Sequence, residues 1–427
     1  MKTYSLSDES VFRTLNGLWT GKKEPLVEAC VLRNTNFGPD GVLDPSDVAK
    51  LQVEKRQLDK RQLERGDIIL ERSGGSPRQP VGRVAFFDLV SSEPFSFSNF
   101  TSALRVVDRS LFEPRFVHYF LLDFYFEGGT KPLQSNTTGL RNLNFDSYLQ
   151  IEVPCPPLAE QRKIAAVLGK VQAAVAVEGE LVRVSRELKQ AALRQLFTRG
   201  LHNEPQKQTA LGAVPESWAV AEAGSLCNFS SGGTPDRGNL AYWTGGTIPW
   251  VKTGEVNYRT IFEVEECITE LGLKNSAAKL LPAGTLVMAM YGQGITRGRV
   301  ARLGIAATTN QACAAISPRA DSSISTDFLY HFFEFNYEYL RSLGHGANQK
   351  NLNLEIIRQV SVPVPMEAEQ REIAALLATL DAKIAHHEAR QALLRELFRT
   401  LLHDLLTARG RVTNLELAAL LSTPITP

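Results

Sequence analysis

One stretch of this sequence occurs twice, and the two copies are separated by a constant 209 residues. The copy from Asn142 reads NLNFDSYLQIEVPCPPLAEQRKIAAVL, and the copy from Asn351 reads NLNLEIIRQVSVPVPMEAEQREIAALL. In each copy a V-P-x-P segment runs into a long segment without proline, which predicts an extended strand followed by a helix. Each helix would run for about 40 residues, roughly 60 Å. A repeat this long is not that of a solenoid, so the sequence predicts two similar half-molecules, each a globular part followed by a long helix.

Both predicted helices carry residues in the 4-3 spacing that is typical of a coiled-coil seam. In the first helix the seam positions are Ile164, Leu168, Val171, Val175, Glu178, Val182, Ser185, Lys189, Ala192 and Leu196. In the second they are Ile373, Leu377, Leu380, Ile384, His387, Gln391, Leu394, Phe398, Leu401 and Leu405. Such a seam also occurs in ordinary helix packing. Two like helices after two like domains, however, can pair antiparallel about a pseudo-twofold axis, and we predict this coiled coil as a spacer between the domains.

The globular parts are predicted to contain both helices and strands. Residues 1–153 hold short strand-like segments (VEACVLRN, GDIILER, GRVAFFD, ALRVVD) and one amphipathic helix near FEPRFVHYFLLDFYF. Residues 204–362 repeat this order with different residues. The first domain has no counterpart of the PESW and GGTP motifs of the second, and we predict that it lacks the second domain's N-terminal strand. The predicted α+β fold therefore comprises a first domain (1–153), a first helical region (154–203), a second domain (204–362), a second helical region (363–410) and a C-terminal tail (411–427).

The charge balance excludes a strong overall field. The chain has 47 basic and 46 acidic residues, a formal net charge of +1, so any nucleic-acid surface must be local. The five cysteines follow no metal-binding spacing, and the first residues do not form a signal sequence, which favours a reduced, cytoplasmic protein. No apolar run reaches the ~20 residues of a membrane span, so we expect no membrane association.

Signatures of catalysis are missing from the sequence. It contains no G-x-x-x-x-G-K-[ST] phosphate loop, no N-P-P-[YF] or D-P-P-Y tetrapeptide of adenine methyltransferases, and no H-E-x-x-H or Cys/His cluster. His386 and His387 are expected to lie on the helix seam or surface, not to bind a metal. We predict that the chain has no catalytic residue and no metal site.

Several motifs occur in a fixed order along the chain. A P-x-P-x-x-x-E-Q signature begins at Pro154 and again at Pro363, and PESW, GGTP, IPWVKTGEV, MYGQGITRGRVA, TTNQA and GANQKNLN follow one another between Pro215 and Asn353. Over nearly the whole chain these motifs resemble the specificity (S) subunits of type I restriction-modification systems. The resemblance implies two target-recognition domains, each reading one half of a split double-stranded DNA target, and helices that bind two methyltransferase (M) subunits, with restriction (R) subunits in the complex. It implies no cofactor on this chain, and S-adenosylmethionine, ATP and Mg²⁺ on the partner subunits.

Loops that mix glycine with arginine, lysine, amides and aromatics are the candidate DNA-binding sites, because Arg pairs well with guanine, and Asn or Gln with adenine. In the first domain the candidates are Arg33, Asn34, Arg72, Ser73, Arg78, Gln79, Arg83, Lys131, Asn136 and Arg141. In the second they are Lys252, Thr253, Tyr291, Gln293, Thr296, Arg297, Arg299, Asn310, Gln311, His345, Asn348, Gln349 and Lys350. Asn142 and Asn351 belong to the duplicated stretch, so they are expected to contact backbone or cap structure instead of reading sequence.

Three functions compete for this sequence. The first is a non-catalytic DNA-sequence reader that assembles methyltransferase and endonuclease subunits. The second is a single-chain DNA-modifying enzyme, which predicts catalytic motifs that the sequence does not contain. The third is a structural coiled-coil interaction protein, which does not explain why the two domains differ while their helices stay alike.

Overall fold

The chain forms two compact units, each built from parts of both halves of the sequence. The computed structural model describes residues 2–18, 23–76, 79–137, 140–292, 295–343 and 351–407. The first unit comprises Met1–Glu180 with Glu388–Pro427, and the second comprises Leu181–His387. Each long helix therefore contributes one half to each unit. The domain boundaries drawn from the sequence stay a prediction.

The first unit contains three main sheets. Its strands are β1 (Thr3–Ser5), β2 (Phe12–Asn16), β3 (Leu26–Leu32), β4 (Ala49–Glu54), β5 (Ile68–Glu71), β6 (Ser73–Gly75), β7 (Val84–Phe86), β8 (Phe95–Phe97), β9 (Thr101–Val106), β10 (Gln134–Thr137), β11 (Leu140–Leu143) and β12 (Glu152–Pro154). Its helices are α1 (Lys55–Arg61), α2 (Pro114–Phe126), α3 (Phe145–Leu149) and the first half of α4 (Leu158–Arg199). The sheets have the strand orders β2-β9-β5-β7, β4-β3-β8 and β10-β11-β6, and β1 pairs with β12.

The second unit repeats much of this plan. Its strands are β13 (Gln206–Thr209), β14 (Gly212–Pro215), β15 (Ala219–Glu222), β16 (Cys227–Ser231), β17 (Ile248–Val251), β18 (Thr260–Ile261), β19 (Cys267–Ile268), β20 (Leu286–Ala289), β21 (Val300–Leu303), β22 (Thr308–Thr309), β23 (Cys313–Pro318) and β24 (Ser361–Val364). Its helices are α5 (Ala223–Leu226), α6 (Glu270–Lys274), α7 (Thr326–Phe335), α8 (Tyr337–Leu343), α9 (Leu354–Arg358) and the first half of α10 (Glu367–Leu406). The sheets have the orders β16-β23-β20-β21-β18 and β19-β17-β22, and β15 pairs with β24.

Strand order and direction match between the units. The antiparallel set β2-β9-β5-β7 corresponds to β16-β23-β20-β21. The sheets β4-β3-β8 and β19-β17-β22 also correspond, because the central strand of each has one antiparallel and one parallel neighbour. The predicted α+β duplication is thus confirmed at the level of topology.

The N-terminal strand of the first unit is present, and its predicted absence is wrong. Thr3 of β1 lies opposite Pro154 in the same way that Val220 of β15 lies opposite Pro363. The β13-β14 hairpin of the second unit has no counterpart among the described residues of the first. The motif PESW signals this hairpin and its following turn, not the strand that pairs with the V-P-x-P segment.

A glutamine at the start of each long helix fixes that helix to its globular part. Gln161 Oε1 accepts from the backbone N–H of Glu113, and its Nε2 donates to the carbonyls of Leu111 and Pro156, all at 2.8 or 2.9 Å. Gln370 repeats the arrangement with the N–H of Ser325 and the carbonyls of Ser323 and Pro365. Glu113 and Ser325 are the N-cap residues of α2 and α7. An amide side chain serves here because it offers donors and an acceptor together.

Within each unit the helix segments run antiparallel, as predicted. In the first unit, Gln391 donates to the carbonyl of Val175, while Ile164, further toward the start of α4, shares a core with Leu402, further toward the end of α10. In the second unit, Lys189 contacts Asp381, and the N–H of Leu201 donates to Glu369. All predicted seam positions are buried or partly buried, so the 4-3 pattern located the buried face of both helices.

The two helix-to-domain junctions use different chemistry at equivalent positions. In the first unit, Tyr119 on α2 donates to Gln172 at 2.8 Å and packs against Phe398. The residues that align with these three in the second unit are His331, Asp381 and Lys189. There, Lys189 Nζ lies 2.6 Å from both carboxylate oxygens of Glu334, and the lysine side chain is only 6% exposed. Burial works against ionisation of Glu334, but His331 and Lys189 outweigh it and hold the pKa of Glu334 below its ordinary value.

No helix of the described ranges is long and apolar enough to cross a membrane.

We expect Lys189→Met to destabilise the chain by about 3–5 kcal/mol, because it leaves the partly buried carboxylates of Glu334 and Asp381 without their buried cation. Urea unfolding at pH 7 measures the loss. Lys163→Met, at an exposed position of the same helix, is the matched control and should unfold close to the wild type. Equal midpoints for the two variants would contradict a stabilising role of the buried ammonium group.

The buried His118 on α2 makes stability depend on pH. Burial, reinforced by the Arg115 charge, lowers the pKa of His118 from 6.5 to about 3. The unfolded chain therefore binds a proton below pH 6.5 that the folded chain takes up only near pH 3, and stability falls across that window as pH decreases. Between pH 7 and pH 5 we expect the wild type to lose about 2 kcal/mol more than His118→Leu. Urea unfolding of both proteins at the two pH values measures this difference, and parallel losses would refute the assignment.

Candidate nucleic-acid interface

In the second unit the predicted recognition loops emerge from one edge of the main sheet. The strand register places Ser231 opposite Ala314, and Ala289 opposite Cys313. Consequently β16 and β20 end, and β21 and β23 begin, at the same edge. The loops attached there contain GGTP, most of MYGQGITRGR, and TNQA. The structure therefore brings together three motifs that lie far apart in the sequence.

Two glycines allow these loops to approach one another closely. A Cβ on Gly232 would lie 2.1 Å from the carbonyl oxygen of Thr309, and a Cβ on Gly233 would lie 2.4 Å from the carbonyl carbon of Ala277. The carbonyl of Gly233 also accepts from Trp250 Nε1 at 2.9 Å. No residue with a side chain fits this backbone contact, which explains the G-G pair of the motif.

Several candidates of the second unit present side chains at this edge. Tyr291 is 41% exposed, and Gln311 is also exposed and accepts from the Thr234 hydroxyl. Asn310 is partly buried, and its Oδ1 accepts from the N–H of Ala312. Thr296 is partly buried as well.

Other candidates of the second unit are held by internal contacts. The Arg297 side chain is buried and donates to the carbonyl of Arg341 at 3.3 Å, and Arg299 lies over the Tyr258 ring. Lys252, which with Thr253 directly follows β17, lies 2.6 Å from Glu265 and 2.8 Å from Glu266. The hydrogen bonds that Lys252 donates to these two carboxylates raise the pKa of its ammonium group.

The first unit presents its candidates at the equivalent edge. Here β5 ends at Glu71 and β7 begins at Val84, while β2 ends at Asn16. The small sheet β10-β11-β6 stands beside this edge, with Ser73 opposite Asn142. Asn142 accepts from the Ser73 hydroxyl, and its expected contact with backbone or cap structure stays a prediction.

Arg83 is the centre of a hydrogen-bond network at this edge. Its guanidinium forms a bidentate ion pair with the buried Glu71 at 2.8 and 2.9 Å. It also donates to the carbonyls of Asn34 and Phe37, and Gln79 Oε1 accepts from it at 2.8 Å in the amide orientation that satisfies both groups. This side chain therefore holds the loops in place.

The remaining candidates of the first unit differ in the internal contacts that their side chains make. Asn34 Nδ2 donates to the carbonyl of Ser73. Arg72 donates to Asn16 and lies over the Phe145 ring. Arg33 and Lys131 are exposed, the former with Asp47 at 3.4 Å. Arg141 is partly buried and reaches Gln134 at 3.5 Å. Arg78, Gln293, His345, Asn348, Gln349 and Lys350 lie outside the described residues, as does the side chain of Asn136.

Arg237 is a residue at this site that the sequence interpretation missed. Its guanidinium lies over Trp243 at 3.8 Å and over Trp250 at 4.7 Å, and it pairs with Glu266. It is exposed in the loop that begins with GGTP. The signal in the sequence was its position two residues after this motif, with a tryptophan further along the same loop.

Among the residues that the structure describes, two clusters combine histidine with carboxylates, and neither lies at the loop edges. In the second unit His331, Glu334 and Asp381 surround the ammonium group of Lys189, which already supplies a cation. In the first unit His403 on α10 lies 3.5 Å from Asp123 and 4.0 Å from Glu127 on or next to α2. These contacts connect α10 with α2.

Comparisons with known proteins point to one family. A family model described as "Type I restriction modification DNA specificity domain" matches residues 36–182 and 215–396. The MjaIX specificity subunit of Methanocaldococcus jannaschii is 28% identical over 45% of this chain, and the match spans only 44% of that relative's length. The MjaVIII specificity subunit of the same organism is 23% identical over 66% of this chain and 67% of its own. The structure of a type I restriction-modification S subunit from M. genitalium has the same fold, with a TM-score of 0.61, 16% identity and 95% of each chain covered.

We expect Gly233→Ala to lower the free energy of unfolding by about 1–3 kcal/mol, because the added methyl group overlaps backbone atoms that cannot yield without moving a loop. Gly254→Ala is the matched control, since a Cβ there meets nothing within 4 Å. Urea unfolding of both variants measures the free energy of unfolding of each. If Gly233→Ala were as stable as the control, close packing of the loops would not explain the motif.

Proposed function

Because the chain belongs to the family of type I restriction-modification DNA specificity domains, we propose that it is a non-catalytic specificity subunit. It reads a two-part double-stranded DNA target and directs methylation and restriction by partner subunits. The observation that carries this proposal is the repeated edge: each unit has the same strand order and displays a different set of polar loops at the equivalent edge. A common scaffold with different loops is what two different half-sites require.

The candidates divide into two roles by their contacts. Exposed side chains such as Lys131, Tyr291 and Gln311 can reach base edges or phosphates. Arg237 is exposed too, but its guanidinium is already paired with Glu266 and stacked on Trp243. Side chains that are already engaged, such as Arg83 and Arg297, hold the loops in shape. Precise positioning of loops matters because a bidentate contact to a base tolerates little displacement.

The long helices offer surfaces for protein partners. On α4, Val177, Leu181, Val184 and Leu188 form an exposed apolar stripe in the 4-3-4 spacing of a second helix seam. On α10, Leu393 and Leu397 are exposed at the positions that the 209-residue shift makes equivalent to Val184 and Leu188. At the positions equivalent to Val177 and Leu181, α10 carries His386 and Arg390, so the two helices share one exposed apolar pair. We assign these shared pairs to two copies of one partner, the methyltransferase subunit.

The partner subunits supply the chemistry. Methyltransferase subunits would bind S-adenosylmethionine, restriction subunits would bind ATP and Mg²⁺, and this chain would bind no cofactor. The balanced net charge of +1 agrees with a complex in which partner subunits provide much of the grip on the DNA phosphates.

The proposal is tested by co-expressing the chain with a cognate methyltransferase subunit and mapping methylated adenines across the host genome. We expect a two-part motif. Replacing residues 1–153 with those of another family member should change one half of the motif and leave the other half unaltered. A change in both halves would contradict independent reading.

Point variants make the same test at the loops. Tyr291→Ala with Gln311→Ala should weaken recognition of one half-site by about 1–3 kcal/mol per lost base contact. Lys131→Ala with Arg141→Ala is the matched pair in the first unit and should affect the other half-site. Methylation or cleavage of DNA by the purified chain alone would instead favour the single-chain enzyme, and a partnered chain without DNA binding would favour the structural protein.

A further inference from the structure

Each unit has a tight turn that leads into one strand of its main sheet at the loop edge. In the first unit this is the turn of residues 98–101, in which the N–H of Thr101 donates to the carbonyl of Ser98 at 3.0 Å. In the second unit it is the turn of residues 310–313, in which the N–H of Cys313 donates to the carbonyl of Asn310 at 3.1 Å. The strands that follow, β9 and β23, begin at Thr101 and Cys313 and have the same length. We refer to these two turns as the edge turns.

The edge turns make the same backbone contacts in both units. The N–H of Arg72, directly after β5, donates to the carbonyl of Phe100 at 2.9 Å. The N–H of Met290, directly after β20, donates to the carbonyl of Ala312 at 2.8 Å. The N–H of the first turn residue also donates to the last residue of β3 or β17, at 2.9 and 3.0 Å. The backbone of each turn is therefore held by the main sheet and by the three-stranded sheet beside it.

A glycine packs against each edge turn from a third side. Gly17 directly follows β2, and a Cβ on it would lie 1.9 Å from the carbonyl oxygen of Ser98. Gly232 directly follows β16, and a Cβ on it would lie 2.5 Å from the carbonyl oxygen of Asn310. The two turns thus have the same surroundings although their sequences differ, and a side chain at the same position of each starts from an equivalent backbone.

The second position of both edge turns carries an exposed amide, Asn99 in the first unit and Gln311 in the second. Asn99 was not among the candidates drawn from the sequence. Within the described residues its side chain makes no hydrogen bond, and the amide of Gln311 makes one, from the Thr234 hydroxyl to Oε1. The loops beside the turns differ in length and residues, LERSGGSPRQPVGRV against AMYGQGITRGRV. The amide is therefore a feature that two otherwise different edges share.

We infer that Asn99 and Gln311 each read an adenine, one in each half of the DNA target. This inference rests on the proposed function. An amide offers a donor and an acceptor together, which match N7 and the N6 amino group of adenine in the major groove. A phosphate or the major-groove edge of guanine offers acceptors alone and uses only half of the amide. The amide oxygen has two lone pairs, so Gln311 accepts from Thr234 and still serves a base.

The test uses Asn99→Ala and Gln311→Ala in the full chain, each purified with the cognate methyltransferase subunit. Methylated-adenine mapping with the wild type first gives the two-part motif. The Kd of each complex is then measured on duplexes in which every base pair of the motif is replaced in turn. We expect replacement of one A·T pair in each half to raise the wild-type Kd at least about fivefold. Asn99→Ala should abolish this penalty in one half only, and Gln311→Ala in the other half only.

A base analogue tests the hydrogen bond itself. An adenine without its acceptor at N7, 7-deazaadenine, is placed at the position that Gln311→Ala identifies. The wild-type Kd should rise about two- to tenfold, the contribution of one hydrogen bond, and the Kd of Gln311→Ala should not change. Gln311→Glu keeps the shape of the side chain but has no donor for N7, so it should lose the preference for adenine as the alanine variant does.

Two control variants remove exposed amides outside the edge turns. Gln52→Ala on β4 and Gln208→Ala on β13 should bind every duplex as the wild type does. Thermal unfolding of all variants verifies that they are folded.

The outcomes separate the inference from the proposed function. Weaker binding of every duplex with unchanged base preference is the result of a phosphate contact, and it overturns the reading of adenine. Unchanged binding by both alanine variants overturns it as well, and so does a preference lost at a G·C pair. A wild-type complex that methylates no two-part motif would contradict the proposed function, and the inference with it, before any variant is compared.

Discussion

The glutamine clamp at the start of each long helix is the contact through which helix and globular part are joined. Gln161 and Gln370 are fully buried, and each satisfies one backbone donor and two backbone acceptors. Replacing either with an apolar residue would leave several buried backbone groups unpaired, each at a cost of about 1–3 kcal/mol. The partners are backbone atoms at a helix N-cap and in the loop before it. The hydrogen bonds of the clamp therefore do not depend on which side chains surround them. The same stretch can therefore serve two globular parts with different sequences.

Features encoded locally were predicted well. The V-P-x-P strands, the long helices and the buried seam follow from proline placement and 4-3 spacing. The strands β3 and β5 overlap the strand-like segments VEACVLRN and GDIILER. The N-terminal strand was missed because three residues of TYS carry too little pattern. Its presence is decided by a partner at Pro154, about 150 residues away in the chain. Strand pairing at such separation leaves no local signal.

The candidate site was predictable as a set of loops but not residue by residue. GGTP, MYGQGITRGRVA and TTNQA were singled out from the sequence, and the sheet register brings them to one edge. Which arginine is exposed and which is committed depends on partners far along the chain, such as Glu71 for Arg83 and the carbonyl of Arg341 for Arg297. Many charges of this nearly neutral chain are consumed in such internal pairs, as in Arg105 with Asp67. Residue type in a loop therefore identifies the candidates, and only the folded structure shows which side chains are available.

The unequal junctions bear on the ancestry of the chain. A gene that encoded only one half could rebuild both units only by pairing two copies of the same half. In a pair of second halves, Phe398 would take the place of Lys189, and His331, Glu334 and Asp381 would lose their buried cation. In a pair of first halves, Lys189 would be buried beside Tyr119 and Gln172 with no carboxylate. Either half, paired with a second copy of itself, would therefore lose the contacts of its junction, because each half supplies the complement of the other and not of itself.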